Sequence, residues 1–325
     1  MNSGGRSKKL RILGGLLVGA AAAGVAAGIV MQHLLKQEFV EQHPRSPQDS
    51  DPDDENAEDP EGVTTFKTKH MELSGVTHEG KRRSNNQDSF RLSNKDIAGE
   101  KHALAIVCDG MGGHAGGEVA SQIAADLIQT VVSKQKSPEA EGIYQAIKEA
   151  IERADAAIEQ RASKENELLG MGTTAVVAVI NRDNYVHCYL GDSRLYHFRD
   201  GEMIYQTKDH SVVRFLVEEG IIGPEEAKDH PYRSQLTSSL GGGPNANRLT
   251  IEPKWDEEKI PYREWQSGDW LVLCSDGLNS ELEDEEIACV LAEAEDTRSA
   301  ALELRDRVLK TLARDNVTVI VAHKF

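Results

Sequence analysis

Positive charge is in short supply: 37 lysines and arginines face 54 aspartates and glutamates, for a net charge of −17. Such a chain repels the phosphates of nucleic acid unless a local basic patch intervenes, and none appears beyond the first dozen residues. Paired cysteines are lacking as well. Cys108, Cys188, Cys274 and Cys289 contain no Cys-x-x-Cys spacing, which argues against a zinc site and a disulfide framework. All four read as buried free thiols, which suits a reducing compartment. No internal repeat is present. What remains is ordinary for a globular body, 39% hydrophobic and 28% charged. The 325 residues allow one large domain or two small ones, at about 150 residues per domain.

Charge is absent altogether from Ile12 to Val30, and the uncharged stretch runs on to Gln32. That is close to the roughly 20 residues a helix needs to cross a bilayer. Residues 1–36 are therefore expected to form an N-terminal membrane anchor, with a cleaved signal peptide and a soluble Ala-rich helix as competing readings. Residues 37–65 interleave acids such as Asp49, Asp51, Asp53 and Glu58 with Pro44, Pro47, Pro52 and Pro60. This composition predicts a self-repelling, disordered linker. Arg6, Lys8, Lys9 and Arg11 outnumber Lys36 and Arg45, so the positive-inside rule places the C-terminal domain outside the cell. The free cysteines point to the cytoplasmic side instead, and the two indications oppose each other.

Residues 66–325 are expected to fold. Short apolar runs predict strands at Leu104–Cys108, Ala175–Ile180, Tyr185–Leu190, Leu195–Phe198, Trp270–Cys274 and Val317–Ala322. Arg199-Asp200-Gly201-Glu202 reads as a hairpin turn. Helical spacing appears at Val119, Ile123, Leu127 and Val131, then from Ile143 to Ile158, then at Ala301, Leu304, Val308 and Leu312. Helices and strands do not alternate one for one, which favours a layered α+β domain over a doubly wound parallel sheet.

Aspartates recur where these strands end. Asp109-Gly110 follows the Leu104–Cys108 run, and Ser275-Asp276-Gly277 follows Leu271–Cys274. Gly191-Asp192 follows Val186–Leu190, and Asp315-Asn316 directly precedes Val317. Carboxylates in such positions are costly to desolvate, and a hard divalent cation removes the cost by taking their oxygens as ligands. A neighbouring glycine is expected to let a carbonyl or water approach the same ion. One Asp-Gly pair is usually a turn, as Asp200-Gly201 illustrates; four acids at strand ends carry more weight. The residues alone lead as far as a carboxylate-bound Mg2+ or Mn2+ site.

A longer pattern joins these pieces. Gly80 to Phe90 contains Arg83 and Asn86-Gln87-Asp88. Cys108-Asp109-Gly110-Met111-Gly112-Gly113-His114 is followed by Gly116-Gly117 and Ala120-Ser121. Gly172-Thr173-Thr174, Gly191-Asp192-Ser193-Arg194 and Asp209-His210-Ser211 come next, then His230-Pro231 through Leu236-Thr237 to Ser239-Leu240-Gly241. Cys274-Ser275-Asp276-Gly277-Leu278 and Asp315-Asn316-Val317-Thr318-Val319 close the series. In this order, over Met71 to His323, the runs resemble the signatures of the protein phosphatase 2C family in its bacterial form.

The resemblance implies a four-layer α-β-β-α sandwich of two mainly antiparallel sheets flanked by helices, with a metal site at one edge. It implies a signalling enzyme that hydrolyses phosphoserine and phosphothreonine in proteins, with a monomeric catalytic domain and two or three divalent cations, Mn2+ or Mg2+. By the same resemblance Asp109 bridges two ions, Gly110 lends its carbonyl, and Asp276 and Asp315 complete one shell. Asp88 ligates directly or through water, and Asp192 takes a third, weaker ion. Arg83 grips the substrate phosphate, and the region from Asp209 to Leu240 includes a flap where substrates are chosen. Family substrates also favour a cytoplasmic domain. Three departures stand out, one of them with a candidate substitute nearby. Gln87 replaces a frequent glutamate, Met111 replaces the histidine proposed as general acid in animal members, His114 is a nearby alternative acid or a structural residue, and Ser238 replaces a frequent arginine. Two other functions stay open at this point: a catalytically weak, membrane-tethered phosphoprotein-binding module, and a phosphohydrolase of small molecules.

Overall fold

The computed structural model describes residues 61–97, 100–112, 116–243, 249–255 and 262–325. The expected anchor over 1–36, most of the expected linker and His114 lie outside the described residues. Among the described residues no helix is long and apolar enough to cross a membrane.

Two antiparallel sheets form the centre. The first holds β1 (Thr64–Lys67), β2 (Met71–His78), β8 (Arg194–Arg199), β9 (Glu202–Gln206), β12 (Trp270–Cys274) and β13 (Val317–Lys324), in the order β1-β2-β13-β12-β8-β9. The second runs β10 (Leu240–Gly241), β5 (Gly172–Thr173), β4 (Glu100–Met111), β6 (Ala175–Ile180), β7 (Asn184–Leu190) and β11 (Tyr262–Glu264), while β3 (Asp88–Ile97) pairs with β4. Every residue of β6 is buried. A strand covered on both faces needs no polar alternation, so β6 and β12 are legible as continuous apolar runs. The β8–β9 connection has Asp200 at φ 51° and Gly201 at φ 80°, the positive pair that matches strand twist in a two-residue turn.

Helices α1 (Gly116–Val132) and α2 (Ala140–Ala162) cover the second sheet. On α2 the helical spacing Ile143, Ile147, Ile151, Ala154 and Ile158 is buried against β6, β7 and α1. Each such isoleucine contributes about 1.5–3 kcal/mol by leaving water. The short helices α3 (Val212–Glu218) and α4 (Pro224–Lys228) lie in the region expected to be the flap, and α5 (Asp276–Asn279) follows β12. Helices α6 (Asp284–Glu293) and α7 (Thr297–Lys310) pack Ile287, Val290, Ala301, Leu304 and Val308 on the first sheet. Between the sheets lie Leu73, Ala105, Val107, Ala178, Leu271, Leu273 and Ile320. The result is the expected four-layer sandwich.

Three expectations need correction. Val63 is already buried at 1% exposure, so packing begins ahead of Phe66. Leu312 does not continue the stripe of α7: the helix ends at Lys310, Ala313 turns back with φ 42°, and Leu312 is 49% exposed. Cys289 is exposed, unlike the other three cysteines, because α6 turns Ile287, Val290 and Leu291 inward and leaves Cys289 outside.

Candidate active site

The expected acids meet at one end of the sandwich. Asp88 opens β3 and Asp109 lies near the end of β4, where the two are register partners. Asp276 follows β12, Asp315 precedes β13 and Asp192 sits between β7 and β8. Asp88 is buried; Asp109, Asp192, Asp276 and Asp315 are half-buried.

Uncharged groups hold this arrangement. Asp88 Oδ2 accepts from Ser275 Oγ and Thr318 Oγ1, each at 2.7 Å. The backbone of Asp109 is fixed on both sides: its N–H donates to Thr174 Oγ1 at 2.9 Å, and its carbonyl accepts from Thr173 Oγ1 and Thr174 N, both at 2.9 Å. Ser193, next to Asp192, shares a 2.6 Å hydrogen bond with Thr174 Oγ1. Asn316 clamps the Arg83 loop, donating to the carbonyls of Glu79 and Asn85 and accepting from Gln87 N, all at 2.9 Å. These residues lie in the motifs, but their tasks were not legible in the sequence, because each bond joins groups far apart in the chain. A hydroxyl or amide beside nearly every site aspartate was the available signal.

The glycines have a packing role besides the expected one. A Cβ on Gly110 would collide with the Gly117 carbonyl and lie 2.5 Å from that of Gln87. A Cβ on Gly277 would run into the carbonyl of Asn316. Both glycines permit backbones to pack closely around the acids, which fixes the acids' positions.

Charge is concentrated here with little to neutralise it. Burial pushes the Asp88 carboxyl up to about 7 against its bonds from Thr318 and Ser275, with Asp276 and Asp315 adding to the rise. Burial, then Asp88, Asp276, Asp192 and Asp315, raise Asp109 well above the usual range. Asp192 is raised by burial, then by Asp276 and Asp209. Asp276 reaches about 6 through burial and Asp315, against a bond to Asp109 and the charge of Arg83. Solvent at the mouth screens these half-buried acids more than it screens Asp88.

Divalent cations fit these residues. Asp88 Oδ1 and Asp276 Oδ1 are buried without a hydrogen-bond partner, and every side-chain donor is oxygen. Hard cations prefer that set. Among the described residues no three His, Cys, Asp or Glu side chains are preassembled into a cage.

Arg83 is placed at the cluster, 47% exposed, with Nη2 2.6 Å from Asp315 Oδ2. It therefore steadies one acid while presenting the rest of its guanidinium outward. Gln87 is buried, its Nε2 3.5 Å from the Gly112 carbonyl and close to Gly117, so it supports the glycine turn. Met111 ends β4 beside Gly172. Ser238 is buried and its Oγ bridges Thr250 N and O at 2.9 and 3.0 Å. The base of the 209–240 region is tied to the site: His210 N donates to the Gly191 carbonyl at 2.8 Å, and Arg194 holds Asp209 through two 2.7 Å bonds.

Comparison with known proteins now decides the family. The profile of the family described as protein phosphatase 2C matches residues 75–317. The chain belongs to the protein phosphatase 2C family. The serine/threonine protein phosphatase PstP of Mycobacterium tuberculosis is 38% identical over 242 residues, 74% of this chain and 42% of that protein. The chain thus matches less than half the length of this mycobacterial relative. The serine/threonine phosphatase stp of Listeria innocua is 31% identical over 76% of this chain and 94% of its own. A crystal structure of the PstP catalytic domain with two manganese ions superposes with a TM-score of 0.63 at 31% identity, covering 78% of this chain and 98% of that one. In this protein phosphatase 2C member, the matched span contains all five acids described above.

Proposed function

We propose that this protein hydrolyses phosphoserine and phosphothreonine in proteins with the help of two or three divalent cations, Mn2+ or Mg2+. One observation carries the reading: five carboxylates converge with two orphaned buried oxygens, and Arg83 lies at their edge. Asp109 would stand between two cation positions; Asp276, Asp315 and the Gly110 carbonyl would complete them, Asp88 would join directly or through water, and Asp192 would serve a third. When bound, such cations supply an activated water near neutral pH and a positive clamp on phosphoryl oxygens. Ser275 and Thr318 hold Asp88 Oδ2, while Oδ1 is buried without a hydrogen-bond partner. Arg83 orients the phosphate through the part of its fork that Asp315 leaves unused. Met111 has no proton to give, so the departing serine or threonine oxygen takes its proton from water.

The test uses the purified full-length chain with a phosphothreonine peptide and p-nitrophenyl phosphate, with Mn2+ or with EDTA. Mn2+-dependent phosphate release from both substrates is expected. No release from the peptide in saturating Mn2+ would leave a binding module, and release from the small ester alone would leave a small-molecule phosphohydrolase.

We propose further that residues 1–36 anchor the protein in a membrane and that an extended acidic linker joins them to the catalytic domain. The uncharged run Ile12–Val30 supports this. Carbonate extraction should leave the protein with membranes, and release into the supernatant would remove the anchor. Protease treatment of intact cells then reports which side the domain occupies.

A further inference from the structure

Arginine is scarce relative to acid in this chain, and nearly every described arginine is paired. Arg91 meets Asp126, Arg194 meets Asp209, Arg199 meets Asp269 and Arg307 meets Glu303. Arg263 lies 3.3 Å over the Tyr205 ring. Among the described residues, Arg82, Arg233 and Arg314 are the arginines whose side chains lie against neither a carboxylate nor a ring. With a net charge of −17, a shortage of acids does not explain this. All three are in segments next to the active site. Arg82 adjoins Arg83, Arg314 adjoins Asp315, and Arg233 is on the flap, shortly before Thr237, whose N–H donates to the His210 carbonyl at 2.7 Å.

The loops bearing Arg82 and Arg314 act as one unit. Lys81 N donates to the Ala313 carbonyl at 2.9 Å, and Lys81 Nζ reaches the Thr311 carbonyl at 3.3 Å. Gly80, at φ 78°, passes so close to Asp315 that any Cβ would strike its carbonyl. Arg83 closes the unit through Asp315. Two exposed, unpaired guanidiniums are thereby anchored, at the backbone, beside the group that meets the phosphate.

We propose that Arg82 and Arg314 read acidic residues flanking the phosphorylated serine or threonine, so that acidic-flanked phosphoproteins are the preferred substrates. This rests on the phosphatase reading above. A phosphate held at Arg83 brings the adjoining peptide over these two loops, and a planar guanidinium suits a carboxylate. The rest of so acidic a protein repels the same peptide, so the rim arginines decide the sign locally. An exposed ion pair favours its partner by about 1.4- to 5-fold, and two pairs by roughly 2- to 25-fold.

The experiment compares two phosphothreonine peptides that differ only in carrying Glu or Gln on both flanks. The full-length chain is assayed in saturating Mn2+ at low ionic strength, and the ratio of kcat/KM values is read. A ratio of about three or more in favour of Glu is expected, shrinking in about 1 M salt, where charges are screened beyond roughly 3 Å. In Arg82→Gln/Arg314→Gln the ratio should fall toward one, while Arg82→Lys/Arg314→Lys should keep most of it. Loss of folded enzyme lowers both rates together and leaves the ratio intact. Hydrolysis of both peptides at equal rates by the parent, or a preference that survives the double Gln variant, would overturn the proposal alone. Failure of the parent to hydrolyse either peptide would overturn the phosphatase reading and this inference with it.

Discussion

Stripped of divalent cations, the domain should lose stability as pH rises, and Asp88→Asn should reverse part of that loss. Burial pushes the Asp88 carboxyl up to about 7, and its Oδ1 has no partner. In the unfolded chain the same group titrates near 3.9. Between those values the folded state keeps a proton that the unfolded state has released, so stability declines with rising pH. The gap is close to three units; at about 1.36 kcal/mol per unit it amounts to roughly 4 kcal/mol for Asp88 alone. That is a large share of the roughly 5–15 kcal/mol that separates most folded domains from unfolding. Asp109, Asp192 and Asp276 are raised as well, so they act with the same sign.

Cations at about one hundred times their dissociation constant return roughly 2.7 kcal/mol. They compete with protons for the same oxygens, so their effect should grow from pH 5 to pH 7.5. Asparagine at position 88 stays neutral throughout, and its Oδ1 can still accept from Ser275 and Thr318. In EDTA at pH 7.5 the variant should exceed the parent by about 2–4 kcal/mol, or roughly 4–16 °C in Tm. At pH 4 the two should converge, and Mn2+ should raise the variant's Tm less than the parent's. Thermal unfolding followed by circular dichroism across pH 4–8, in EDTA and in Mn2+, measures all of this. A flat metal-free profile for the parent, or a variant less stable than the parent at pH 7.5, would refute the reasoning.

Asp109→Asn should reduce phosphatase turnover to background while the fold persists, since an amide offers one neutral oxygen where two cations need a carboxylate; turnover within a few-fold of the parent in saturating Mn2+ would remove Asp109 from the centre. Arg83→Ala should raise KM for a phosphopeptide more than it lowers kcat, as expected when uniform binding is lost. A collapsed kcat with unchanged KM would make Arg83 a transition-state group. Gly110→Ala should destabilise by about 1–3 kcal/mol or more in chemical unfolding, because its Cβ would force the backbone of α1 away from β4. An unchanged midpoint would show that this end of α1 retreats freely.

The apolar elements were legible because burial leaves a periodic trace. Strands β6 and β12 occupy the predicted residues, and Ile143 to Ile158 face the core at helical spacing. The site acids were legible because they follow such runs. Helix and strand ends were less so: nothing local told that Leu312 would leave α7 or that Cys289 would face outward. A second task of the glycines beside the acids was not legible, since the backbones they pack against, Gly117 for Gly110 and Asn316 for Gly277, appear only once the chain folds. The same holds for Thr318 reaching Asp88 and for Asn316 clamping the Arg83 loop.

The chain also contains its own control for reading the acidic cluster. Asp269 is buried, yet Arg199 grips it at 2.8 and 2.7 Å, His197 Nε2 lies 2.9 Å away and Gln266 N donates to it at 2.6 Å. Burial pushes its carboxyl up, but these partners outweigh burial and hold it below the usual range. Asp209 likewise has the fork of Arg194. This is how the fold treats an acid whose role is structural: it supplies a cation. Around Asp88, Asp109, Asp192 and Asp276 it supplies serine, threonine and asparagine instead, and among the described residues no guanidinium grips any of these four at hydrogen-bond distance; Arg83 is bonded to Asp315. Those neutral groups fix positions and leave the charge uncompensated. A domain that can neutralise a buried acid, as it does at Asp269, has kept this cluster acidic for ligands that bring their own positive charge.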